Sequence, residues 1–387
     1  MNQKIVLLLH RLDRRGGQER STWEVATRLA ARGWDIELYS FALDDWPRHL
    51  PLRWHKVPGR KIPSQLLRNI WFRWLVRMML WFRPPAKDSL MITVGTAALR
   101  ADIRVIQFVH GKFNELLANR EVTYPNPKSA FHRCYQKLTA AYEARIERKY
   151  LPKSSALIAI SNQVKVDLEE CVLKHSPVPI HVIHHAGIQG SLGQTITSSE
   201  TSPKTEPLLL FVGALERKGI EKVLRCLASV KHLPWQFCAL GYGDTFRWKK
   251  RAHQLEIGDR VTFFGEQASE PFFLAADIFF LPASYEPFGL AVSEAVSYGL
   301  APLVSKECGA LELWSQRPSW LKISCRDSDS AWVDALKRLV VDKELRKRCS
   351  KQAQQAMALW TWEKATQTYE QVLQTYTSRL LTNDTAA

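Results

Sequence analysis

The 387-residue chain is too long for one ordinary core, so two domains of similar size are expected. Its 46% hydrophobic and 24% charged residues exclude a disordered or fibrous protein. The formal net charge of +16 predicts an anionic partner: nucleic acid, anionic lipid or a phosphorylated substrate. The chain opens on MNQKIVLLLHRLD, whose apolar run covers only residues 5–9. A secretory signal needs about 7–15 apolar residues, so this run reads as a first β-strand. No uncharged stretch reaches the roughly 18 residues of a membrane span. Neither secretion nor membrane integration is therefore expected.

Further short apolar runs cover residues 36–40, 90–94, 105–109, 157–160 and 181–183, then 208–212, 237–240, 261–264, 278–281 and 302–304. Amphipathic stretches at 19–32, 129–149, 220–230 and 330–341 lie between them. Strands alternating with helices predict parallel α/β units. Residues 189–206, QGSLGQTITSSETSPKTE, are rich in Ser and Thr with almost no large apolar side chain, as an inter-domain linker is. The expected domains are residues 1–188 and 207–360, each a Rossmann-like sheet, followed by a helix over 361–387. The seven cysteines form no CxxC pair, so buried reduced thiols fit better than a zinc site or a disulfide framework.

Candidate ligand segments fall where strands should end, the usual ligand side of open α/β sheets. Arg14-Arg15-Gly16-Gly17-Gln18-Glu19-Arg20 follows the first strand. Its paired glycines and helix start suit an anion, and equally an ordinary βα turn. The absence of GxGxxG counts against a dinucleotide redox enzyme. Gly213-Ala214-Leu215-Glu216-Arg217-Lys218-Gly219 leads from strand to helix with adjacent cations, a diphosphate cradle or a solvated basic pair. Gly241-Tyr242-Gly243-Asp244 is a weak turn signal.

The most specific segment is Tyr285-Glu286-Pro287-Phe288-Gly289-Leu290-Ala291-Val292-Ser293-Glu294. Pro287 suits a helix entry, which leaves the N–H groups of Gly289 and Leu290 without helical acceptors. Glu294 falls among apolar neighbours, where a carboxylate needs hydrogen-bond donors such as ribose hydroxyls. His110 closes the run 105–109 and is structural or functional on these grounds alone.

Together these residues resemble the GT-B glycosyltransferases, in particular the large retaining family of lipopolysaccharide core glucosyltransferases and bacterial mannosyltransferases. The resemblance rests on Gly16-Gly17-x-Glu19-Arg20, the stretch Val182–Gly187, the Arg217-Lys218-Gly219 cradle and the two glutamates eight apart, Glu286 and Glu294. It also includes Trp360-Thr361-Trp362-Glu363 at the head of the last helix. It implies an α/β fold of two Rossmann-like domains facing a central cleft, with the C-terminal helix returning to the N-terminal domain. It implies transfer of a hexose from a nucleotide diphosphate sugar, a UDP-sugar favoured, with retention and with neither metal nor cofactor.

By position, Gly16 and Gly17 would approach the donor phosphates, and His110 would hydrogen-bond the donor sugar near the reacting carbon. Arg217 and Lys218 would neutralise the diphosphate, which makes Lys218 catalytic beside His110 and Glu286. Glu286 would bind the sugar hydroxyls, Gly289 and Leu290 the phosphates, and Glu294 the ribose. Base selection would fall to the backbone around residues 265–267. Two positions depart from the family: Ala214, where arginine is common, and His184-His185-Ala186-Gly187, where Pro-Asn-Gly is usual. The one Asp-x-Asp spelling, Asp327-Ser328-Asp329, falls in a hydrophilic loop.

Residues 60–87, RKIPSQLLRNIWFRWLVRMMLWFRPPAK, hold seven Lys or Arg and no acid. Apolar positions 66, 67, 70, 71, 74, 75, 78, 79 and 82 recur at helical spacing, with Gln65, Arg68, Asn69, Arg73 and Arg77 on the other side. That is the pattern of an interfacial helix over residues 62–82 on an anionic membrane, or of a core helix with a basic edge. The run is too continuously apolar for a nucleic-acid stacking platform. The expectation is a peripheral enzyme on the cytoplasmic face of the cell membrane, acting on a glycan, lipid-linked or lipopolysaccharide-core acceptor. The rivals are a GT-B enzyme or epimerase with a soluble acceptor, and an inactive scaffold homologue.

Overall fold

A computed structural model of the chain describes residues 3–14, 16–122, 130–174, 176–187 and 206–384. It separates into two compact units. One comprises Met1–Glu115, Cys134–His185 and Trp362–Ala387; the other comprises Leu116–Arg133 and Ala186–Thr361. The segment 116–133, which chain order puts in the first half, clusters with the second unit. The linker expected over 189–206 lies outside the described residues except for Glu206.

The first unit is built on β1 (Lys4–Leu8), β2 (Arg11–Leu12), β3 (Asp35–Ser40), β4 (Ala42–Leu43), β5 (Arg53–Lys56), β6 (Ser89–Val94), β7 (Ile103–Ile106), β8 (Ala156–Ala159) and β9 (Ile180–Val182). Seven of these form a parallel sheet in the order β5-β3-β1-β6-β7-β8-β9, and β2 pairs with β4. The chain therefore leaves β1 towards one edge and returns to the other side at β6. Helices α1 (Gly17–Ala31), α2 (Gln65–Phe82), α3 (His110–Ala118), α4 (Ala130–Tyr150) and α5 (Asn162–Leu168) make the crossovers. Ser64 and Ser161 open α2 and α5 by accepting the N–H groups of Leu67 and Val164. Buried Ile5, Leu8, Ile36, Leu38, Leu90 and Ile103 form the sheet's interior, as a doubly covered parallel sheet requires.

Two strand expectations need correction. β5 had no apolar signal because it is a solvated edge strand reading Arg-Trp-His-Lys. The strand expected over 105–109 is β7, which ends at Ile106. Gln107 leaves the ladder and points its amide at Ser21 Oγ of α1, 2.9 Å away.

The second unit holds β10 (Leu208–Val212), β11 (Gln236–Leu240), β12 (Val261–Gly265), β13 (Ile278–Leu281) and β14 (Ala301–Val304) in a parallel sheet of order β12-β11-β10-β13-β14. Its direction reverses between β10 and β13. Covering it are α6 (Ile220–Ser229), α7 (Thr245–Gln254), α8 (Glu270–Ala275), α9 (Leu290–Ser297), α10 (Asp329–Val341) and α11 (Lys343–Ala358).

The final helix, α12 (Trp362–Asp384), belongs to the first unit. Glu363 and Glu370 pair with Arg32 beyond the end of α1, and Glu370 accepts the Trp34 indole N–H at 2.9 Å. His185 is fully enclosed and packs its ring 5.6 Å from that of Trp362. Burial, then the neighbouring His184, lowers its pKa to about 3, so it is neutral.

Candidate donor-binding site

In the second unit β10 runs into Gly213 at φ 138°, and a tight turn follows in which Lys218 N–H donates to Ala214 C=O at 3.0 Å. The Lys218 stem lies across Gly213, where a Cβ would stand 2.5 Å from Lys218 Cδ. Glycine is therefore required there, and the ammonium is drawn back over the end of β10. Ala214 is buried beneath the turn.

β13 delivers the second half of the site. Glu286 is buried, with Lys218 Nζ 3.1 Å and Arg217 Nη2 3.6 Å from its Oε2. Arg217 is fixed by donating from Nη1 to Tyr285 C=O at 3.0 Å. By geometry neither cation is aligned as a hydrogen-bond donor to Oε2, which is enclosed without one among the described residues. Burial alone would raise the Glu286 pKa, but Lys218 and then Arg217 outweigh it and hold the carboxyl below its ordinary value. The group is ionised and has spare acceptor capacity.

The main chain beyond it is locked to the segment after β14. Glu286 C=O accepts from Gly309, and Phe288 C=O accepts from Ala310 and from the Cys308 thiol, 3.0 Å away. Gly289 has φ 90°, and a Cβ there would meet Cys308 Sγ at 2.7 Å. Burial, then Glu286, pushes the Cys308 thiol up to about 12. The first donors turned back into α9 are Val292 and Ser293, both to Gly289 C=O. The N–H groups of Gly289 and Leu290 thus stand at the positive end of the helix. Glu294 lies one turn further on, half-buried. Two cations, a helix N-terminus and an ionised carboxylate with a free lone pair can bind a diphosphate beside a hydroxyl-bearing group.

Glu216 was not foreseen as part of this site. Its Oε1 accepts from Asp244 N–H at 3.1 Å and from the Trp248 indole at 3.0 Å. It ties the cradle turn to α7, a pairing across the fold that adjacency to Arg217 did not announce.

The other expected site residues belong to the first unit. Gly16 precedes α1 and accepts from Arg20 N–H at 2.8 Å; Gly17 is the first residue of α1; Arg15 lies outside the described residues. His110 does not close a strand: it is the first residue of α3, four residues past β7. The buried Glu147 carboxylate accepts the N–H groups of His110 and Gly111 at 2.8 and 2.9 Å and so caps that helix. Asp329 of the Asp-x-Asp spelling is engaged by Arg225, and no group of three possible metal ligands occurs among the described residues.

The α2 side assignment is corrected as well. Arg73, expected in solvent, is buried, donating to Thr96 C=O at 2.7 Å and pairing with Glu143. Asn69, also expected outside, donates to Glu143 at 2.9 Å. The helix docks through this polar cluster together with Phe72 and Val76. Its exposed face carries Leu67, Ile70, Trp71, Trp74, Arg77 and Trp81. Simple amphipathicity missed this because the anchoring carboxylate comes from α4, 70 residues away.

Residues 194–356 match the family model for glycosyl transferases group 1, and residues 15–186 match that for glycosyltransferase family 4. Two glycosyltransferase family models thus account for most of the chain between them, one for each half. Of curated proteins, a glycogen synthase of Fusobacterium nucleatum is 29% identical to the chain over 138 residues, 34% of the chain and 28% of that relative. It spans well under half the length of the first curated relatives that it matches. Among solved structures, a sucrose-phosphate synthase from Thermosynechococcus elongatus aligns with a TM-score of 0.74 at 19% identity, covering 98% of this chain and 100% of that one. WaaG, a glycosyltransferase involved in lipopolysaccharide biosynthesis, aligns at 0.72 and 17%, covering 95% and 99%. Anabaena HepE in complex with UDP and glucose aligns at 0.62 and 15%, covering 97% and 100%. These glycosyltransferases share the GT-B fold with the chain.

Proposed function

We propose that the protein transfers a hexose from a nucleoside diphosphate sugar, UDP-hexose favoured, to a lipid-linked or lipopolysaccharide-core acceptor with retention at the sugar carbon. The observation that carries this reading is the buried, ionised Glu286 held between Lys218 and Arg217 at the reversal of the second sheet. The cations neutralise the leaving diphosphate, and the N–H groups of Gly289 and Leu290 add donors to it. The unfilled lone pair of Glu286 takes a sugar hydroxyl, and Glu294 takes the ribose. The bond from the sugar carbon to the phosphate oxygen breaks as the acceptor hydroxyl bonds to that carbon from the same face. The hydroxyl proton passes to the departing phosphate. His110, Gly16 and Gly17 keep the roles that the family resemblance implies.

Release of nucleoside diphosphate from UDP-, GDP- and ADP-hexoses, read with and without acceptor lipid, tests this. Release from none of them would sink the reading. UDP bound to the HepE neighbour favours the uridine donor.

A membrane position on the cytoplasmic face is supported by α2 and by seven free cysteines. Among the described residues no helix is long and apolar enough to cross a membrane. The exposed Trp71, Trp74 and Trp81 with Arg68 and Arg77 suit an interfacial helix instead. Arg68→Gln with Arg77→Gln should weaken binding to anionic vesicles by about 2 kcal/mol, about 1 kcal/mol for each charge at low salt. A wild-type protein that stays in the supernatant would favour a soluble acceptor, the reading that the glycogen synthase relatives support.

A further inference from the structure

We propose that Tyr242 is the stacking platform for the donor's nucleobase. The inference rests on the donor-site reading above and names the part of that site which its polar residues leave unassigned.

The strand order restricts where a base can go. The cations stand at the end of β10 and the receiving helix N-terminus at the end of β13, where the sheet reverses. A nucleoside attached to a diphosphate there extends over β14 or over β11 and β12. The β14 side is filled by the chain itself. Ser305 is buried with its hydroxyl on Ala283 C=O, and Gly309 and Ala310 are bound to Glu286 and Phe288. On the other side the turn after β11 carries Tyr242, two residues past Leu240, and residues 265–267 stand at the end of the neighbouring β12.

Tyr242 is held firmly while its ring is left open. Gly241 N–H donates to Gly265 C=O at 2.8 Å, Tyr242 C=O accepts from Leu215 at 3.0 Å, and Asp244 N–H is on Glu216. The glycines on either side have φ of 127° and 152°. At Gly241 a Cβ would meet Gly213 C=O at 2.0 Å, so the turn sits hard against the phosphate cradle. Yet Tyr242 is 48% exposed, and among the described residues its ring stacks on no other aromatic ring. The fold fixes this main chain at three points and makes no use of the ring. A preordered aromatic face beside a diphosphate site fits the π-face that every nucleobase offers.

Calorimetric titration of the full-length wild type, Tyr242→Phe and Tyr242→Ala with UDP, GDP and inorganic pyrophosphate tests this. Expected is a loss of roughly 5- to 150-fold in nucleoside diphosphate affinity for Tyr242→Ala, the range of one base–aromatic stack. Tyr242→Phe should bind as the wild type does, and pyrophosphate should bind all three proteins equally. Unchanged UDP and GDP affinity in Tyr242→Ala overturns the platform while leaving the donor site standing. So does an equal loss for pyrophosphate, which would mean that the turn itself had collapsed. A wild type that binds neither nucleotide overturns the donor site first, and the platform with it.

Discussion

Each unit buries a glutamate against an arginine or lysine, and the two pairs are finished differently. In the first unit every lone pair that matters on Glu143 is taken: Asn69 is on one oxygen, Arg73 and Thr96 on the other. Burial raises its pKa, Arg73 more than reverses that, and the carboxyl is held low. In the second unit Glu286 is buried too and also held low, but its Oε2 faces two cations without an aligned donor among the described residues, between two turns that need glycine, one at 213 and one at 289. A buried pair whose glutamate is saturated fastens helices together, although Arg73 Nη1 has no partner among the described residues. An unsaturated one at strand ends is built for something that arrives later.

The largest effect should come from breaking the saturated pair. Arg73→Met leaves Glu143 buried without its cation and should cost about 3–5 kcal/mol in urea unfolding. Adding Glu143→Leu should recover most of that loss, since two apolar side chains replace the pair. A single variant as stable as the wild type would put Arg73 in solvent after all.

Removing the cation from the unsaturated pair should act on turnover instead. Lys218→Ala should lower kcat/KM by about 100-fold or more, the range for loss of one charge-stabilising donor. Arg217 remains beside Glu286, so the unfolding free energy should move less than in Arg73→Met. If Lys218→Ala were the less stable variant of the two and turned over normally, the distinction between the pairs would be lost.

The effect that is smallest at neutral pH, and grows only in acid, sharpens the comparison at a buried imidazole held neutral. His185 takes up a proton in the unfolded chain near pH 6.5 but in the folded protein only near 3. Acid therefore favours unfolding across that window, by about 1.4 kcal/mol for each pH unit. His185→Phe should flatten the pH dependence of the melting temperature between 6.5 and 3. Parallel curves for the two proteins would show that His185 is solvated.

What the sequence disclosed divides along similar lines. The turns that carry the proposed donor residues were legible because each is contiguous in sequence: one strand end holds Arg217 and Lys218, another Glu286, Gly289 and Glu294. Apart from the end of β7, apolar runs located the interior strands within a residue or two, since parallel strands are buried on both faces. Features made by distant partners were hidden. Arg73 looked like a solvated base until Glu143 met it, β5 had no apolar pattern to show, and Glu216 gave no sign of reaching Asp244 and Trp248. His110 was placed at a strand end because the apolar run continues past Ile106, where Gln107 turns away to α1.

The thiol packed under Gly289 has a practical consequence. Cys308 is 1% exposed, and with its pKa pushed up to about 12 almost none of it is thiolate at neutral pH. An alkylating reagent reaches this sulfur only when the segment after β14 lifts away from Phe288 and Gly289. The rate at which mass spectrometry finds Cys308 modified is thus a clock for the breathing of the turn proposed to face the phosphates, running inside the native chain without any added label. Donor bound across that turn, as proposed, should slow the clock, and exposed Cys134 in the same sample keeps the time of free solution.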